Sequence, residues 1–453
     1  MVKLNHKKKE QYTKRIVHAL QDGNKELFLE NFLKLHPSDQ QDVFIHLSNP
    51  LRKKVYAFVS PKQFTEVFEG LSIEQQKLFF AEVKENYSSA MFNHLFTDDV
   101  VQFLVEIDAE KADHILDKMN EEKANKVRVL LSYQEETAGA IMTKEFISIA
   151  STDTAEKVIE YLRTVAPNAE IIYYNYVIDK DGVLVGVVSL RDLITARPDE
   201  MIENIMNSHA VSVDEDLDQE EVAKVIQKYD LLAVPVVSKD HRLLGIVTVD
   251  DIMDVMEDET TEDFGEISAA KGATDIGLSA FSAAKKRAPW IVLLMVLGLI
   301  TGGVIQQFED TLESVVLLAF FIPMIMDSGG NVGTQSLAIS VRGLALGTIQ
   351  KDGFLRLIRR ELTTGALIGF ACMLLISTIV FFIYGNGMLG IVVGVSILCT
   401  LSISAVIGAL IPIIIDKLNI DPAVASGPFI TTLNDIAGLM IYFTIATKLI
   451  EYI

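Results

Sequence analysis

The sequence predicts a multidomain protein with an all-α superhelical N-terminal domain, an α+β tandem repeat, a connecting helix and an α-helical membrane domain with five transmembrane helices. Three observations lead to this prediction. Apolar residues recur at helical spacing near the N-terminus, a ten-residue pattern occurs twice in the middle, and uncharged apolar stretches fill the last third. The expected domains are 1–136 (helical), 137–200 and 201–260 (the two repeat copies), 261–284 (connecting helix) and 285–453 (membrane domain).

The charge distribution separates a soluble part from a membrane part and excludes one class of partner. Residues 1–287 hold 33 Lys/Arg and 51 Asp/Glu, a net charge of −18, whereas the remaining third has a net charge of −3. The 453 residues have a mean hydropathy of +0.31, which is high for a wholly soluble chain. A nucleic-acid binder needs clustered basic residues, and basic tracts such as Lys7-Lys8-Lys9 are short here. Divalent cations are therefore more natural partners than nucleic acid.

The two cysteines also limit the possibilities. Cys372 and Cys399 both lie inside apolar stretches, which argues against a disulfide scaffold and against a thiolate zinc site. No secretory signal opens the chain, so the N-terminal part is expected to stay in the cytoplasm.

Residues 1–136 are expected to form short helices packed as a small superhelical bundle. Apolar residues occur at helical spacing, and the pattern is broken at Pro37, Pro50 and Pro61. A scaffold or dimerisation unit is the simplest role for such a bundle. Asp98 is a candidate cation ligand, with an ordinary acidic residue at a helix start as the alternative.

The middle of the chain contains an internal repeat. The segment from Leu184 to Leu193 recurs from Leu243 to Ile252, an offset of 59 residues. Each copy has an apolar strand, a Ser or Thr at the strand end and an acidic helix start. This pattern resembles a tandem pair of cystathionine-β-synthase (CBS) domains.

CBS pairs often sense adenine nucleotides, so the resemblance makes one group of residues a candidate ATP site. These residues are Tyr174, Arg191 and Asp192. The alternative is that the pair binds nothing and that Asp192 caps its helix.

An acidic segment follows the repeat. Nine Asp or Glu residues and no basic residue lie between Val249 and Glu266, and five of them stack at i, i+4 if the segment is helical. Like charges at that spacing repel one another. A solvated helix face is one explanation. Mg²⁺ bridging facing carboxylates through its retained waters is the other.

The C-terminal third supplies five membrane spans. A span needs about 20 mainly apolar residues. Residues 289–307, 314–341 and 422–447 supply one span each, and the 54 uncharged residues 362–415 supply two, divided at Gly385-Asn386-Gly387.

Basic residues in the short loops predict the orientation. They precede the first span or lie between the second and third: Lys285, Lys286, Arg287, Arg342, Lys351, Arg356, Arg359 and Arg360. Because basic loops stay inside, we expect a cytoplasmic N-terminal part and an external C-terminus in the inner (cytoplasmic) membrane.

Polar residues inside two spans indicate an ion path. Asp435 lies in the middle of the last span, where a carboxylate is costly and normally faces a polar cavity. Gly427-Pro428 precedes it. The second span carries Asp327 and Asn331 among three glycines, which predicts a polar pore wall, with close glycine packing as the alternative. A buried, hydrogen-bonded Asp435 is the structural alternative to an ion site.

Several of these motifs together resemble the MgtE family of bacterial magnesium channels. They are Ala288-Pro289-Trp290, the stretch from Asp327 to Gln335, Val341-Arg342-Gly343 and the stretch from Asp421 to Asp435. The order of the parts is also similar. The resemblance implies a homodimer with the pore at the subunit interface.

The resemblance further implies roles for individual residues. Asp435 would bind hydrated Mg²⁺ in the pore, Gly427, Thr431 and Asn331 would line the pore, and Asp421 would lie near its cytoplasmic mouth. The remaining metal-binding candidates are Asp98, Asp218, Glu220, Asp230, Asp251, Asp254, Glu259, Glu262 and Asp263. In the N-terminal domain this sequence departs from the family, because Asp98 is followed four residues later by Gln102 instead of an acid.

The function expected from these features is a Mg²⁺ channel that closes when cytoplasmic Mg²⁺ binds the acidic surfaces, with ATP as a modulator. A transporter of another divalent cation, such as Co²⁺ or Mn²⁺, is an alternative. An anion channel fits less well, because the pore charges are Asp. An intramembrane metalloenzyme is also less suitable, since all eight histidines lie within residues 1–241.

Overall fold

The structure, a computed structural model, describes residues 6–270, 272–274, 278–345, 349, 353–418 and 420–452. The chain divides into two compact units, the first ending at Met256 and the second beginning at Glu257. The first unit contains the short helices and both sheets. The second contains the long apolar helices.

The N-terminal part of the first unit is a series of short helices, as predicted. In the described residues these are α1 (His6–Gln21), α2 (Lys25–Phe32), α3 (Pro37–Ile45), α4 (Asn49–Phe58), α5 (Pro61–Glu69), α6 (Ile73–Phe80), α7 (Glu85–Phe92), α8 (Thr97–Val105), α9 (Ala109–Lys118) and α10 (Glu121–Leu130). Pro37 and Pro61 stand at the first position of their helices, where a missing N–H breaks no helical hydrogen bond.

Aromatic side chains form much of the core of these helices. Seven phenylalanines are 1% exposed or less: Phe28, Phe32, Phe44, Phe64, Phe68, Phe92 and Phe103. Each short helix buries apolar side chains in this shared core. The packing stabilises helices that would be too short to be stable alone.

Two small sheets follow in the same unit. The elements are α11 (Ala138–Ile141), β1 (Ser148–Ala150), α12 (Ala155–Val165), β2 (Tyr174–Ile178), β3 (Leu184–Ser189), α13 (Leu190–Thr195), α14 (Ile202–Ile205), β4 (Val213–Asp214), α15 (Gln219–Tyr229), β5 (Ala233–Val237), β6 (Leu243–Thr248) and α16 (Val249–Ile267). In each sheet the first strand is parallel to the second, which is antiparallel to the third. Tyr174 pairs with Ser189 and Ala233 with Thr248, so the two registers differ by the same offset as the sequence repeat.

The segments that open the two copies cross over to the opposite sheet. Thr143 and Ile246 exchange backbone hydrogen bonds of 2.8 and 3.1 Å, and Asn207 and Val187 exchange bonds of 3.0 and 2.9 Å. A Cβ atom at Gly245 would lie 2.6 Å from the carbonyl oxygen of Thr143, so the crossing requires glycine there. Each sheet is therefore completed by chain from the other copy.

The two copies differ in what covers their apolar side chains. The first copy has a core of its own, which includes Ile149, Val158 and Leu193. Buried residues of the second copy belong to one core with the N-terminal helices: Val213, Val222, Ala223, Ile226, Val234, Val236, Val247 and Ile252. The N-terminal helices thus pack on the second copy.

The connecting helix differs from the predicted range of 261–284. The acidic helix α16 begins at Val249, directly after β6, and ends at Ile267. Ala269 and Gly272 then have φ angles of 53° and 63°, in the left-handed region that ends helices. The next helix begins only at Ala280. The acidic residues therefore form one helix continuous with the second copy.

The second unit contains the membrane helices. Its helices after α16 are α17 (Ala280–Gln307), the short α18 (Glu309–Ser314), α19 (Ile322–Ala345), α20 (Phe354–Tyr384), α21 (Gly387–Lys417) and α22 (Gly427–Lys448), with 3₁₀ turns at Val316–Phe321, Pro422–Val424 and Ile450–Tyr452. Five segments in the described residues are long and apolar enough to cross a membrane, which confirms the predicted five-helix membrane domain. Gly385, with a φ of 66°, makes the tight turn between α20 and α21.

Close packing of α19 accounts for its glycines. Gly329, Gly330 and Gly333 are buried, and a Cβ atom at Gly330 would lie 2.7 Å from Cγ2 of Thr431 on α22. A Cβ atom at Gly408 on α21 would lie 2.1 Å from the carbonyl oxygen of Gly333. The buried glycines thus allow close helix packing, the alternative to a polar pore wall, whereas Asn331 is exposed.

Candidate cation sites

A cluster of carboxylates lies between α8 and the start of α16 in the first unit. Asp98 and Asp99 are in the first turn of α8, and Asp251 is in the first turn of α16. The Thr248 hydroxyl donates to Asp251 Oδ2. Among the described residues, Asp98 Oδ1 is shielded from solvent and has no hydrogen-bond partner. Helix N-termini favour negative charge, but only partly offset the burial of several carboxylates.

The electrostatics of the cluster show mutual repulsion. Burial, aided by the charge of Asp251, raises the pKa of Asp98 well above its usual range. Burial and the neighbouring Asp98 raise the pKa of Asp99 to about 9. Burial raises the pKa of Asp251 to about 6, with Asp250 and Asp254 adding to it. A cation bound among these carboxyl groups would stabilise their ionised forms and displace their protons.

Two further acids that the sequence analysis did not select face the same cluster. Burial raises the pKa of Glu170 to about 10, and the charges of Asp98, Asp251 and Asp99 contribute. Burial and the charge of Glu66 raise the pKa of Glu69 to about 7. They lie in the loop after α12 and at the end of α5, and no local motif marks either position.

Glu145 has a structural role at the edge of the cluster. Its Oε2 accepts hydrogen bonds from the Thr97 hydroxyl at 2.6 Å and from the Thr143 hydroxyl at 3.0 Å. Two lysines lie near this edge: the Lys123 ammonium donates to the backbone carbonyls of Leu95 and Asn93, and the Lys144 ammonium donates to the carbonyl of Leu244. Both ammonium groups are thus held by backbone carbonyls.

The cluster does not form a compact ligand set. In the described part of the chain, no three His, Cys, Asp or Glu side chains converge closely enough to hold a bare metal ion. Mg²⁺ dehydrates reluctantly and commonly binds carboxylates through retained waters. A Mg²⁺ ion bound to these carboxylates would therefore have to keep part of its water shell.

Three other predicted ligands lie at the two ends of α15. Asp218 caps the helix start, its Oδ1 accepting from the Glu220 N–H at 2.8 Å, and Glu220 lies 3.6 Å from Lys224. Asp230, at the other end, has left-handed backbone angles of φ 51° and ψ 45°. Because an 11-residue helix is about 16 Å long, the structure does not bring Asp230 together with Asp218 and Glu220.

The remaining predicted ligands of the acidic segment lie along α16. Asp254 is exposed, and Glu259, Glu262 and Asp263 are partly buried. Within the second unit, the helix ends beside the start of α22: the Ile267 carbonyl oxygen is 3.3 Å from the position of a Cβ at Gly427. Ile267 packs against a small core that includes Ala423, Ala425 and Ile430.

The predicted nucleotide residues gather at one end of the first sheet. Tyr174 starts β2 opposite Ser189, and Arg191 and Asp192 lie in the first turn of α13. Asp192 Oδ2 accepts from the Ser189 N–H at 3.3 Å and the Ser189 hydroxyl accepts from the Asp192 N–H at 3.1 Å, so the two residues form a capping box at the helix start. The Ser189 hydroxyl also donates to Asp192 Oδ2 at 2.6 Å. An open groove of about 730 Å³ lies at the opposite end of the sheet, around Asp153 and Ile178, and includes none of the three predicted residues.

The membrane candidates are arranged along α22. Gly427, Thr431 and Asp435 follow one another at i, i+4 and i+8 and so share a face. The Thr431 hydroxyl donates to the Gly427 carbonyl at 3.0 Å and lies 3.5 Å from the Thr334 hydroxyl of α19. In the described residues, Asp435 Oδ1 is shielded and has no hydrogen-bond partner.

Asp421 stands just before this helix. It is exposed, and its Oδ1 accepts from the Ala423 N–H at 2.8 Å, which caps the turn Pro422–Val424. Asn331 is exposed on α19 and is not on the surface that packs against α22. The structure therefore groups Asp435, Thr431 and Gly427, with Asp421 near the same helix start.

Family models match three parts of the chain. A model of the MgtE intracellular N domain matches residues 35–136, CBS domain models match 138–199 and 202–258, and the MgtE divalent cation transporter model matches 322–445. The chain is 40% identical over 437 residues to the magnesium transporter MgtE of Bacillus subtilis, covering 96% of this chain and 97% of that protein. It is 35% identical over 442 residues to MgtE of Thermus thermophilus, with the same coverage.

Two solved structures resemble the first part of the chain. One is the soluble part of a magnesium transporter, 40% identical with a TM-score of 0.54, covering 55% of this chain and 99% of that one. The other is the cytosolic domain of the Mg²⁺ channel MgtE in complex with ATP, 35% identical with a TM-score of 0.51, covering 54% and 99%.

Proposed function

Because the chain belongs to the MgtE family of magnesium transporters, we propose that it forms a homodimeric Mg²⁺ channel that closes when cytoplasmic Mg²⁺ binds its acidic surfaces. The chain is a multi-pass membrane protein and its activity is transport, not enzymatic catalysis. The ion path runs along α22, and the sensor lies in the first unit.

The burial of mutually repelling carboxylates carries this proposal. Asp98, Asp99 and Asp251 come from two helix starts, and Glu69 and Glu170 add to their field. A divalent cation held through its waters removes the repulsion and holds α8 against α16. When cytoplasmic Mg²⁺ falls, the sites empty and the repulsion loosens this contact.

Helix α16 is the element that would carry the signal. It bears Asp251 in its first turn, while its last residue, Ile267, packs beside the start of α22. The ligands Asp254, Glu259, Glu262 and Asp263 lie between these ends. Cations bound along α16 would hold its end over the ion path, and their release would free α22 to move.

The pore site is a single carboxylate in each chain. Asp435 lies mid-span on the same face as Thr431 and Gly427, and a carboxylate at that depth normally faces an aqueous path. A second copy of the chain would bring two Asp435 side chains together, which favours a hydrated divalent cation over a monovalent one.

ATP is proposed to bind the first CBS copy. Tyr174, Arg191 and Asp192 lie together at one sheet end, and a similar cytosolic domain has been solved with ATP. Asp192 keeps one carboxylate oxygen outside its capping bond, which can accept from a ribose hydroxyl.

The orientation proposal follows from the basic residues. Lys285, Lys286 and Arg287 lie near the start of α17, Arg342 lies near the end of α19, and Arg356 lies near the start of α20. These ends lie on the same side of a bundle whose spans alternate in direction, so the first unit is placed in the cytoplasm and the C-terminus outside. Lys351 lies outside the described residues.

Flux measurements on the full chain in liposomes test the proposal. Mg²⁺ influx, read with an internal Mg²⁺ indicator, should occur at low Mg²⁺ on the cytoplasmic face and stop as that concentration rises. Asp435→Asn keeps the side-chain size but removes the charge, so it should lower influx at least about tenfold, a loss of ~1.4 kcal/mol of ion stabilisation. Asp416→Asn, the same change at the exposed end of α21, is the control.

Two results would overturn the proposal. Absence of Mg²⁺ influx at every internal concentration would reject the substrate, and Co²⁺ and Mn²⁺ would then be tested in the same vesicles. Wild-type influx through Asp435→Asn would reject the pore assignment.

A further inference from the structure

We propose that Asp327, on α19, is a second cation-binding carboxylate of the ion path and acts together with Asp435. This inference rests on the proposed function. It adds a residue that sets how strongly the path attracts a divalent cation to the level of Asp435.

The register of α19 against α22 places the two carboxylates at one level. A Cβ atom at Gly330 would lie 2.7 Å from Cγ2 of Thr431, and a Cβ atom at Gly438 would lie 3.6 Å from Cγ2 of Ile325. Going from Ile325 to Gly330 along α19, the contacted residue on α22 changes from Gly438 to Thr431. The two helices are therefore antiparallel. Between these two contacts the helices run side by side.

Asp327 falls between the two contact positions on α19, and Asp435 falls between those on α22. The two carboxylates are near enough to interact electrostatically. Each lies well inside its span, since the segments extend over Val316–Ala345 and Gly427–Lys448. Two acids of neighbouring helices thus share one level deep within the membrane unit.

The exposure of Asp327 indicates what it faces. The residue is exposed in the single chain, and an ionised carboxylate at this depth against lipid is costly. Glu361 shows the other way to place an acid here: it is 3% exposed, accepts from the Ser336 hydroxyl at 2.8 Å and pairs with Arg360 at 2.8 Å. Asp327 is not buried in this way, so we expect its carboxylate to face an aqueous path.

An unsatisfied polar atom on α22 points to a polar ligand at the same level. Within the described residues, Asp435 Oδ1 is shielded from solvent and has no hydrogen-bond partner. Unsatisfied polar atoms are rare and costly in a membrane, and a water of a hydrated cation would satisfy this one.

The physical effect of Asp327 is an added negative potential at the binding level. A second carboxylate favours a divalent cation about twice as much as a monovalent one, because the energy scales with the ion's charge. Its removal should weaken capture at low Mg²⁺ while leaving the path open at high Mg²⁺.

Concentration-dependent influx into liposomes separates capture from conduction. We expect Asp327→Asn to raise the half-saturating Mg²⁺ concentration by roughly fivefold to tenfold, with maximal influx changed less than about twofold. Asp327→Glu should restore most of the wild-type value. Glu313→Gln, an exposed acid on α18, is the matched control for charge removal outside the spans.

A labelling experiment tests the aqueous location without relying on flux. In a full-length background with Cys372 and Cys399 replaced by Ala, Asp327→Cys should react with a water-soluble thiol reagent, and Mg²⁺ should slow the reaction. No reaction would overturn the inference. So would a wild-type half-saturating concentration in Asp327→Asn while Asp435→Asn is inactive, a result that leaves the proposed function intact. Failure of the wild-type protein to conduct Mg²⁺ would instead reject the proposed function itself.

Discussion

The two CBS copies use one motif in two different surroundings. Ser189 and Asp192 in the first copy correspond to Thr248 and Asp251 in the second, 59 residues later, and in both the hydroxyl donates to the carboxylate. Asp192 is exposed, whereas Asp251 is partly buried and interacts with the carboxylates of the N-terminal helices. The first copy has its own core and the second shares that of the helices. What covers a motif decides which ligand it can take.

The largest expected effect distinguishes the two aspartates as Mg²⁺ sensors. Asp251→Asn removes one of the charges that a bridging cation neutralises, so inhibition of influx by cytoplasmic Mg²⁺ should shift to at least about tenfold higher concentration. Asp192→Asn, the equivalent change in the first copy, should shift it less than about twofold. Influx into liposomes with graded internal Mg²⁺ measures both. Equal shifts of the inhibitory Mg²⁺ concentration in the two variants would show that the surroundings of the two aspartates do not give them different roles.

The converse experiment uses nucleotide binding. Asp192→Asn keeps an oxygen that can accept from Ser189 but loses its charge, so it should weaken ATP binding roughly tenfold, about the worth of one charged hydrogen bond. Asp251→Asn should bind ATP as the wild type does. Titration calorimetry on the full-length detergent-solubilised protein gives both affinities. Unchanged ATP affinity in Asp192→Asn would remove this residue from the nucleotide site.

The smallest expected effect concerns pH. Burial raises the pKa of Asp99 to about 9 and that of Glu170 to about 10, far above the values near 4 of exposed acids. A raised carboxyl pKa costs stability as pH rises from the unfolded pKa toward the folded one, because the unfolded chain then releases the proton while the folded protein keeps it. Mg²⁺ replaces the protons, so the Mg²⁺ concentration needed for thermal stabilisation should fall roughly threefold to tenfold from pH 7 to pH 8.

Thermal unfolding of the full chain at several pH values measures this dependence. Asp251→Asn should flatten it, and Asp192→Asn should not. A Mg²⁺ requirement that is constant between pH 6 and pH 8 would contradict proton release from the cluster.

Much of the fold could be predicted because its signals are local. The repeat offset predicted two sheets of matching register, and uncharged apolar stretches predicted the five membrane helices. The end of α16 at Ile267 was not predicted. The chain leaves the helix through a left-handed backbone at Ala269, and the sequence normally indicates that conformation only where the residue is glycine. The sequence around the three glycines of α19 predicted a pore wall. The role of the glycines themselves depends on how closely α21 and α22 approach α19, which the sequence does not show.

The candidate sites were less accessible to sequence reasoning. Asp98 and Asp251 were selected through the family resemblance, and the structure places them in one cluster. Glu69 and Glu170 join that cluster from separate segments, and nothing in their neighbouring residues marks them. Asp327 was visible as a lone charge in a span, but only the antiparallel register of two helices puts it level with Asp435.

The crossed opening segments of the CBS pair have a consequence for synthesis on the ribosome. Thr143 is made roughly 100 residues before its partner Ile246, and long-range pairing of this kind is slow to form. The Val187 edge of the first sheet likewise waits for Asn207. The first sheet therefore needs chain from the second copy, and the second sheet is completed only when β6 has emerged. The two copies thus fold as one unit, and a nascent chain halted between them leaves the Val187 edge open to aggregation.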